Sequence, residues 1–403
     1  MVLPFKNTIY QGIWEDPLFH KSITGLALAV GMMTAPAAVL AAEAKLPDTL
    51  VWTTYDTGGT MHANAVAISS TLKQQNGVNL RVLTAGNGIA QQTTLKLGKS
   101  DFVLAGFDVY YAQEGASVFA ARDWGPQPVR LVITASSNQS YALAVDPAIG
   151  AKHPRDLKGK RIAFVKASAS ISQALNSLVL ACGGLTWDDV EKVEVPGFGA
   201  SVDAYMNDQV DVYYTTTNSA TSIKANSAAR GLGWVPIPHD DEKCWNAITE
   251  VDPRWVKKVA TEGVNVPKEG IEMASYPEMI LNTTADKDAD YVYAMTKALY
   301  DNYENFKDAA PAAYGFALER QLLSYVVPYH EGAIRYYKEA GVWNDTLQAH
   351  QDKLVKKQEV LKEAWDKVVA KNISDDAEFA KAWKEARIEA LTAAGFSVPV
   401  RDW

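Results

Sequence analysis

The residues with chemistry to offer sit in hydroxyl- and glycine-bearing turns. The first is Asp56-Thr57-Gly58-Gly59-Thr60-Met61-His62. Before it runs the apolar, β-branched stretch Leu50 to Tyr55; after it comes Ala63 to Gln75, without Pro or Gly. That order predicts a strand, a tight turn and a helix. Gly58 and Gly59 permit positive φ and let another molecule approach the backbone. Thr57 and Thr60 bring hydroxyls. The helix start brings unpaired N–H groups with partial positive charge. Together these suit the carboxylate of a small ligand, and Thr57, Gly59, Thr60, Met61 and His62 are the candidates. His62 would meet the ligand as a neutral donor or acceptor. The same residues also make an ordinary threonine-capped turn, so the rest of the chain must decide.

Further polar turns close later apolar runs. Gly86-Asn87-Gly88 follows Leu80 to Leu83, and Gly106-Phe107-Asp108 follows Phe102 to Ala105. Lys166-Ala167-Ser168-Ala169-Ser170 follows Arg161 to Val165, and Thr215-Thr216-Thr217-Asn218 ends Val210 to Tyr214. Asn87, Gly88, Lys166, Ser168, Ser170, Tyr213, Thr215, Thr216, Thr217 and Asn218 therefore join the candidate ligand contacts. Lys166 offers a counter-charge to an anion. Asp108 suits helix capping as well as ligand contact. No catalytic set accompanies these turns. There is no Gly-x-Ser-x-Gly elbow and no His-Glu-x-x-His. Gly98-Lys99-Ser100 imitates the end of a phosphate loop, but Thr93 stands where its first glycine belongs. Cys182, Cys244 and six scattered histidines have no metal-ligand spacing. The expectation is a binding protein with no catalytic residues, no cofactor and no metal.

The elements that must hold these turns alternate between strand and helix, which argues for mostly parallel sheets covered by helices. Ligands of such sheets sit outside the carboxyl ends of the strands. At 403 residues the chain exceeds one typical core. Two lobes are expected: the first from 46–138 and 240–341, the second from 139–239. The chain would cross between them near Ser136–Ser140 and Pro236–Asp240. After about Pro238 the pattern turns helical, apart from one strand, Met279 to Asn282, returning to the first lobe. Leu347, Leu354, Leu361 and Val368 repeat every seven positions. Ser374-Asp375-Asp376 then opens a second helix carrying Phe379 and Trp383. A helical extension over 342–403 follows, either a hairpin wrapped on the body or a coiled-coil contact with a partner or second copy.

The net charge of −8 disfavours nucleic acid. Residues 1–42 read as a secretory signal peptide, with Lys21 ahead of the uncharged run Ile23 to Met33 and small residues through Ala44. An uncleaved anchor is the alternative; the first reading makes the mature protein exported and periplasmic. Cys182 lies in an apolar helix, where a buried free thiol is the commoner state, so pairing with Cys244 is not expected.

Several segments in order resemble one family. Thr57-Gly58-Gly59-Thr60 is similar to the signature turn of the TAXI-type solute receptors of tripartite ATP-independent periplasmic (TRAP) transporters. Gly98 to Leu104 with Asp108, Asp156 to Arg161, Gly184 to Val190 and Pro328 to Glu339 resemble further segments of that family. The likeness spans about residues 48 to 341. It implies a type II periplasmic binding protein, with two αβ lobes closing about a hinge on a glutamate-like amino acid or a C4–C5 dicarboxylate. It implies a TRAP membrane permease as partner. This chain departs from the family at Met61 and His62, at Lys166 to Ser170 and at Thr216 to Asn218, all at the inferred site. Two rivals remain at this point. One is a periplasmic sensor; the other is the binding subunit of an ATP-driven importer for sulfonates or pyrimidines. A monomer is expected, with a dimer through the C-terminal helices as the alternative.

Overall fold

The computed structural model describes residues 45–55, 57, 60–165, 169–196, 198–401 and 403. The signal-peptide expectation for residues 1–42 lies outside the described residues. Two sheets divide the rest.

The first sheet holds β1 (Thr49–Thr54), β2 (Asn79–Thr84), β3 (Phe102–Ala105), β4 (Val129–Thr134) and β12 (Ile280–Thr284), in the order β2-β1-β3-β12-β4. β1 runs parallel to β2 and β3, whereas β12 is antiparallel to both β3 and β4. β3 is buried at every position, as an unbroken apolar run in a sheet covered on both faces should be. Between these strands lie α1 (Thr60–Asn76), α2 (Gly88–Lys96) and α3 (Asp108–Glu114). Each stops where a glycine takes the left-handed conformation: Gly77 at φ +70, Gly98 at +63 and Gly115 at +59.

The second sheet holds β5 (Tyr141–Val145), β6 (Arg161–Val165), β7 (Glu191–Val195), β8 (Val212–Thr216), β9 (Gly233–Trp234), β10 (Val256–Ala260) and β11 (Ile271–Ser275). Its order is β10-β11-β5-β8-β6-β7, with β9 beside β5. The helices α4 (Ala169–Leu175), α5 (Phe198–Met206), α6 (Ala220–Asn226) and α7 (Glu242–Val251) belong to this lobe. A late antiparallel strand inserted into the first sheet makes the chain cross between lobes twice. This is the type II periplasmic binding protein fold.

The first crossing, between β4 and β5, falls where the sequence put it. The second does not: it lies at Tyr276–Met279, not near Pro236–Asp240, because β10 and β11 pair with each other and extend the second sheet. Both strands carry charge on an exposed face, with Lys257 and Glu272 in the open. That composition hides them from an apolar-run reading but suits the sheet margin.

Cys182 and Cys244 form a disulfide, contrary to the expectation of free thiols. It joins the helical stretch that prolongs α4 to α7. The helix does supply the apolar surroundings the sequence suggested, but α7 is seated against it.

After α8 (Ala289–Asp301), α9 (Tyr303–Phe306) and α10 (Glu331–Glu339) come the long helices α11 (Asp345–Val369) and α12 (Asp376–Ala393). They form a hairpin packed on the first lobe. Trp365 meets Trp383 edge-on at 4.9 Å, and Trp383 donates its indole N–H to the Gly115 carbonyl at 2.6 Å. The seven-residue seam is real at Leu361 and Val368. Three buried polar side chains of α11 complete it. Gln351 pairs with both backbone groups of Tyr329, Gln358 with Gln113, and Lys357 with Glu114. Arg387 of α12 also meets Glu114, at 2.5 Å. Beyond α12, Arg387 holds the Pro399 carbonyl at 3.0 Å, and the Val400 N–H reaches the Val251 carbonyl of α7 at 3.1 Å. Among the described residues, no helix is long and apolar enough to cross a membrane.

Candidate functional site

The strand-end turns of both lobes meet around one cavity of about 570 Å³. Tyr55 enters it from the end of β1, Thr60 and Met61 from the start of α1, and Gly106, Phe107 and Asp108 from the end of β3. Thr216, Asn218 and Ser219 enter from the end of β8. The crossings supply Gln139 on one side and Tyr276, Glu278 and Met279 on the other, and Pro311 and Ala312 complete the wall.

Of the sequence candidates, Thr60, Met61, Asp108, Thr216 and Asn218 line this space. Gly59, Lys166 and Ser168 lie outside the described residues, and Ser170 is described only as part of α4. Thr57 is exposed and His62 half-buried; neither is on the lining. Asn87 caps α2, accepting from the Ala90 N–H at 2.9 Å.

Three candidates are corrected. Tyr213 is turned into the core of the second lobe, 5.1 Å from the Tyr205 ring. Thr215 is buried among Ser219, Thr221 and Ser222 at the start of α6. Thr217 braces the first crossing: it donates to the Glu262 carbonyl at 2.7 Å and accepts from the Ser140 N–H at 3.1 Å. Around it, Asn138 holds Glu262 at 3.0 Å and takes a bond from Arg320 at 2.9 Å, while Tyr314 donates to Glu262 at 2.9 Å.

The capping role open to Asp108 is not taken up. No side chain caps α3, and Phe107 precedes it at the cap position. The Asp108 carboxyl lies against Gly88 instead, where a Cβ would stand 2.2 Å from its Cγ. Burial raises the Asp108 carboxyl above its ordinary range, against the pull of Arg254 and of its own N–H. Glu278 lies beside Gly106, its Oε1 3.5 Å from where a Cβ would stand. Burial, reinforced by the charge of Asp108, pushes Glu278 up to about 7.

An aromatic floor lies beneath. Phe107 packs edge-on to Tyr111 at 4.9 Å and 5.8 Å from Tyr276, which stacks on Tyr141 at 4.4 Å. Arg254 is fully buried behind it, its guanidinium 4.0 Å from the Phe107 ring and 2.8 Å from Asp252. Glu278, Tyr276, Tyr55, Gln139 and Ser219 were missed by the sequence reading. The signal for the first two was present: Tyr276-Pro277-Glu278 leads directly into the returning strand.

A sequence profile of the NMT1-like family matches residues 53–341. Among solved structures, the periplasmic aliphatic sulphonate binding protein SsuA from Escherichia coli is similar at 14% identity and a TM-score of 0.38, over 89% of this chain and 92% of that one. An ancestral arginine-binding protein bound to arginine is similar at 14% identity and 0.40, over 68% and 100%. The GlnP substrate binding domain 2 from Lactococcus lactis is similar at 10% and 0.37, over 67% and 95%. The profile covers well over half of the 403 residues, from the end of β1 through α10, and the chain belongs to the NMT1-like family.

Proposed function

We propose that this protein is the extracytoplasmic solute-binding subunit of a TRAP-type transporter. It captures a small organic acid between its lobes and delivers it to the membrane permease, performing no chemistry itself. Family membership supports a receptor. The observation that carries the reading is the interlobe cavity, walled by the ends of β1 and β3 on one side and β8 on the other. A solute held by both walls binds the closed arrangement more tightly than the open one, and a membrane partner reads that difference.

The test is a thermal-shift screen of amino acids and C4–C5 dicarboxylates on the purified protein. A cognate solute at about 100 times its dissociation constant should add roughly 2.7 kcal/mol of stability. Thr60→Val and Asn218→Ala, one on each wall, should each weaken binding. A solute whose affinity ignores the substitution on either wall would sink the reading.

A further inference from the structure

We propose that Asp108 and Glu278 form a subsite for a protonated amine, so that the captured solute is an ammonium-bearing acid, an α-amino acid and not a plain dicarboxylate. This rests on the receptor reading above and narrows it. Among the described residues, the cavity lining carries two carboxyls and no lysine, arginine or histidine. Neither carboxyl is paired with a cation in the lining. Glu278 has no hydrogen bond or ion pair to any described residue. Among the described residues, the Asp108 carboxyl has its own backbone N–H and the bare face of Gly88 beside it, and feels the charge of Arg254 without an ion pair to it. The nearby guanidinium is engaged elsewhere: Arg254 lies behind the Phe107 ring and grips Asp252.

Two carboxyls facing one partly enclosed space cannot both ionise cheaply without a counter-charge. The empty receptor meets that cost by holding a proton on Glu278. An ammonium group removes it, supplying positive charge and three donors. The rings of Tyr55, Phe107 and Tyr276 line the same space and favour a cation over an anion. Thr60, at the start of α1, leaves a hydroxyl and a helix N-terminus for the carboxylate of the same solute.

The sign of the pH dependence follows. Among the described residues, the charged or titratable groups around Glu278 are Asp108 from α3, Tyr55 after β1, Tyr276 on its own crossing, and the Arg254–Asp252 pair ahead of β10. Of these, Asp108 acts on the titration of Glu278. An ammonium must displace the Glu278 proton, so affinity should fall as pH drops through about 7. Between pH 7.5 and 5.5 the loss should be roughly twenty-five-fold for one displaced proton. A plain carboxylate held by protonated Glu278 would show the opposite slope.

The experiment is calorimetric titration of the purified protein with the L-amino acids and their desamino analogues, glutarate and 2-oxoglutarate among them, at pH 5.5 and 7.5. The expected result is an amino acid that binds while its desamino partner is at least tenfold weaker, with affinity rising with pH. Asp108→Asn and Glu278→Gln should each weaken it at least tenfold, and Glu278→Gln should flatten the pH slope. Glu278→Gln removes a carboxyl whose ionisation burial and Asp108 disfavour, so its ligand-free melting temperature should hold or rise at pH 7.5, which separates lost binding from lost folding. Desamino acids that bind equally well, or affinity that falls as pH rises, overturn this inference and leave the receptor reading intact. Binding by neither set overturns the receptor reading for organic acids itself.

Discussion

Gly88 and Asp108 show how much of the site depends on a missing atom. Gly88 does not have positive φ; its value lies in space, since a Cβ there would collide with the Asp108 carboxyl. Gly88→Ala should push that carboxyl from its place, lowering amino-acid affinity at least tenfold while overpacking costs about 1–3 kcal/mol of stability. Titration and melting of one preparation check both, and unchanged affinity would show that the carboxyl has no part in capture. Both residues were legible as candidates, each at the end of its own strand. Their contact was not, because register between two turns twenty positions apart is set by packing. The threonines after β8 teach a related lesson. Side chains alternate along a strand, so Thr216 faces the cavity while Thr215 turns the other way, to the start of α6; Thr217 lies past the end of β8 and turns to the crossing. Read as one hydroxyl-rich patch, the three look equivalent; read with period two, Thr216 separates from its neighbours. Glu278 and Tyr276 escaped because the crossing they occupy was assigned to an earlier part of the chain.

Among the elements, the α11–α12 hairpin is fastened by charge as well as by its apolar seam. Burial alone would raise the Glu114 carboxyl, but Lys357 and Arg387 outweigh it and hold it at about 2. Its folded value lies below the unfolded one, so the stability it contributes is present above about pH 4.5 and lost as pH falls toward 2. Glu114→Gln leaves Lys357 and Arg387 buried without their anion and should cost about 3–5 kcal/mol, read by denaturant unfolding at pH 7. A loss under 1 kcal/mol would mean that this charge cluster does little to fasten the hairpin. The seam was visible in the heptad spacing of Leu361 and Val368. Its polar half was not, because Gln351, Lys357 and Gln358 have the composition of a solvated face until a partner surface is known. The disulfide is a second fastening between elements. It closes 62 positions of chain, so reduction should remove up to about 4 kcal/mol. Unfolding with and without a phosphine reductant measures this, and an unchanged midpoint would show that α4 and α7 hold together without the bond.

For the molecule as a whole, the alternation of strand and helix was enough to foresee two lobes and a returning strand, because buried runs such as Phe102 to Ala105 announce themselves. The β10–β11 hairpin was not, since its charged, half-exposed strands look like surface helix. Its assignment shifts the second crossing by some forty positions and brings Glu278 to the cavity. The resemblance pointed to amides, hydroxyls and Lys166, with Asp108 as its one carboxyl. The described lining adds a second carboxyl, Glu278.

The strap from Arg387 to Val400 has a mechanical corollary. α12 rides with the first lobe, while the Val251 carbonyl that receives the Val400 N–H rides with the second. Any motion that parts α7 from the hairpin must therefore break that hydrogen bond.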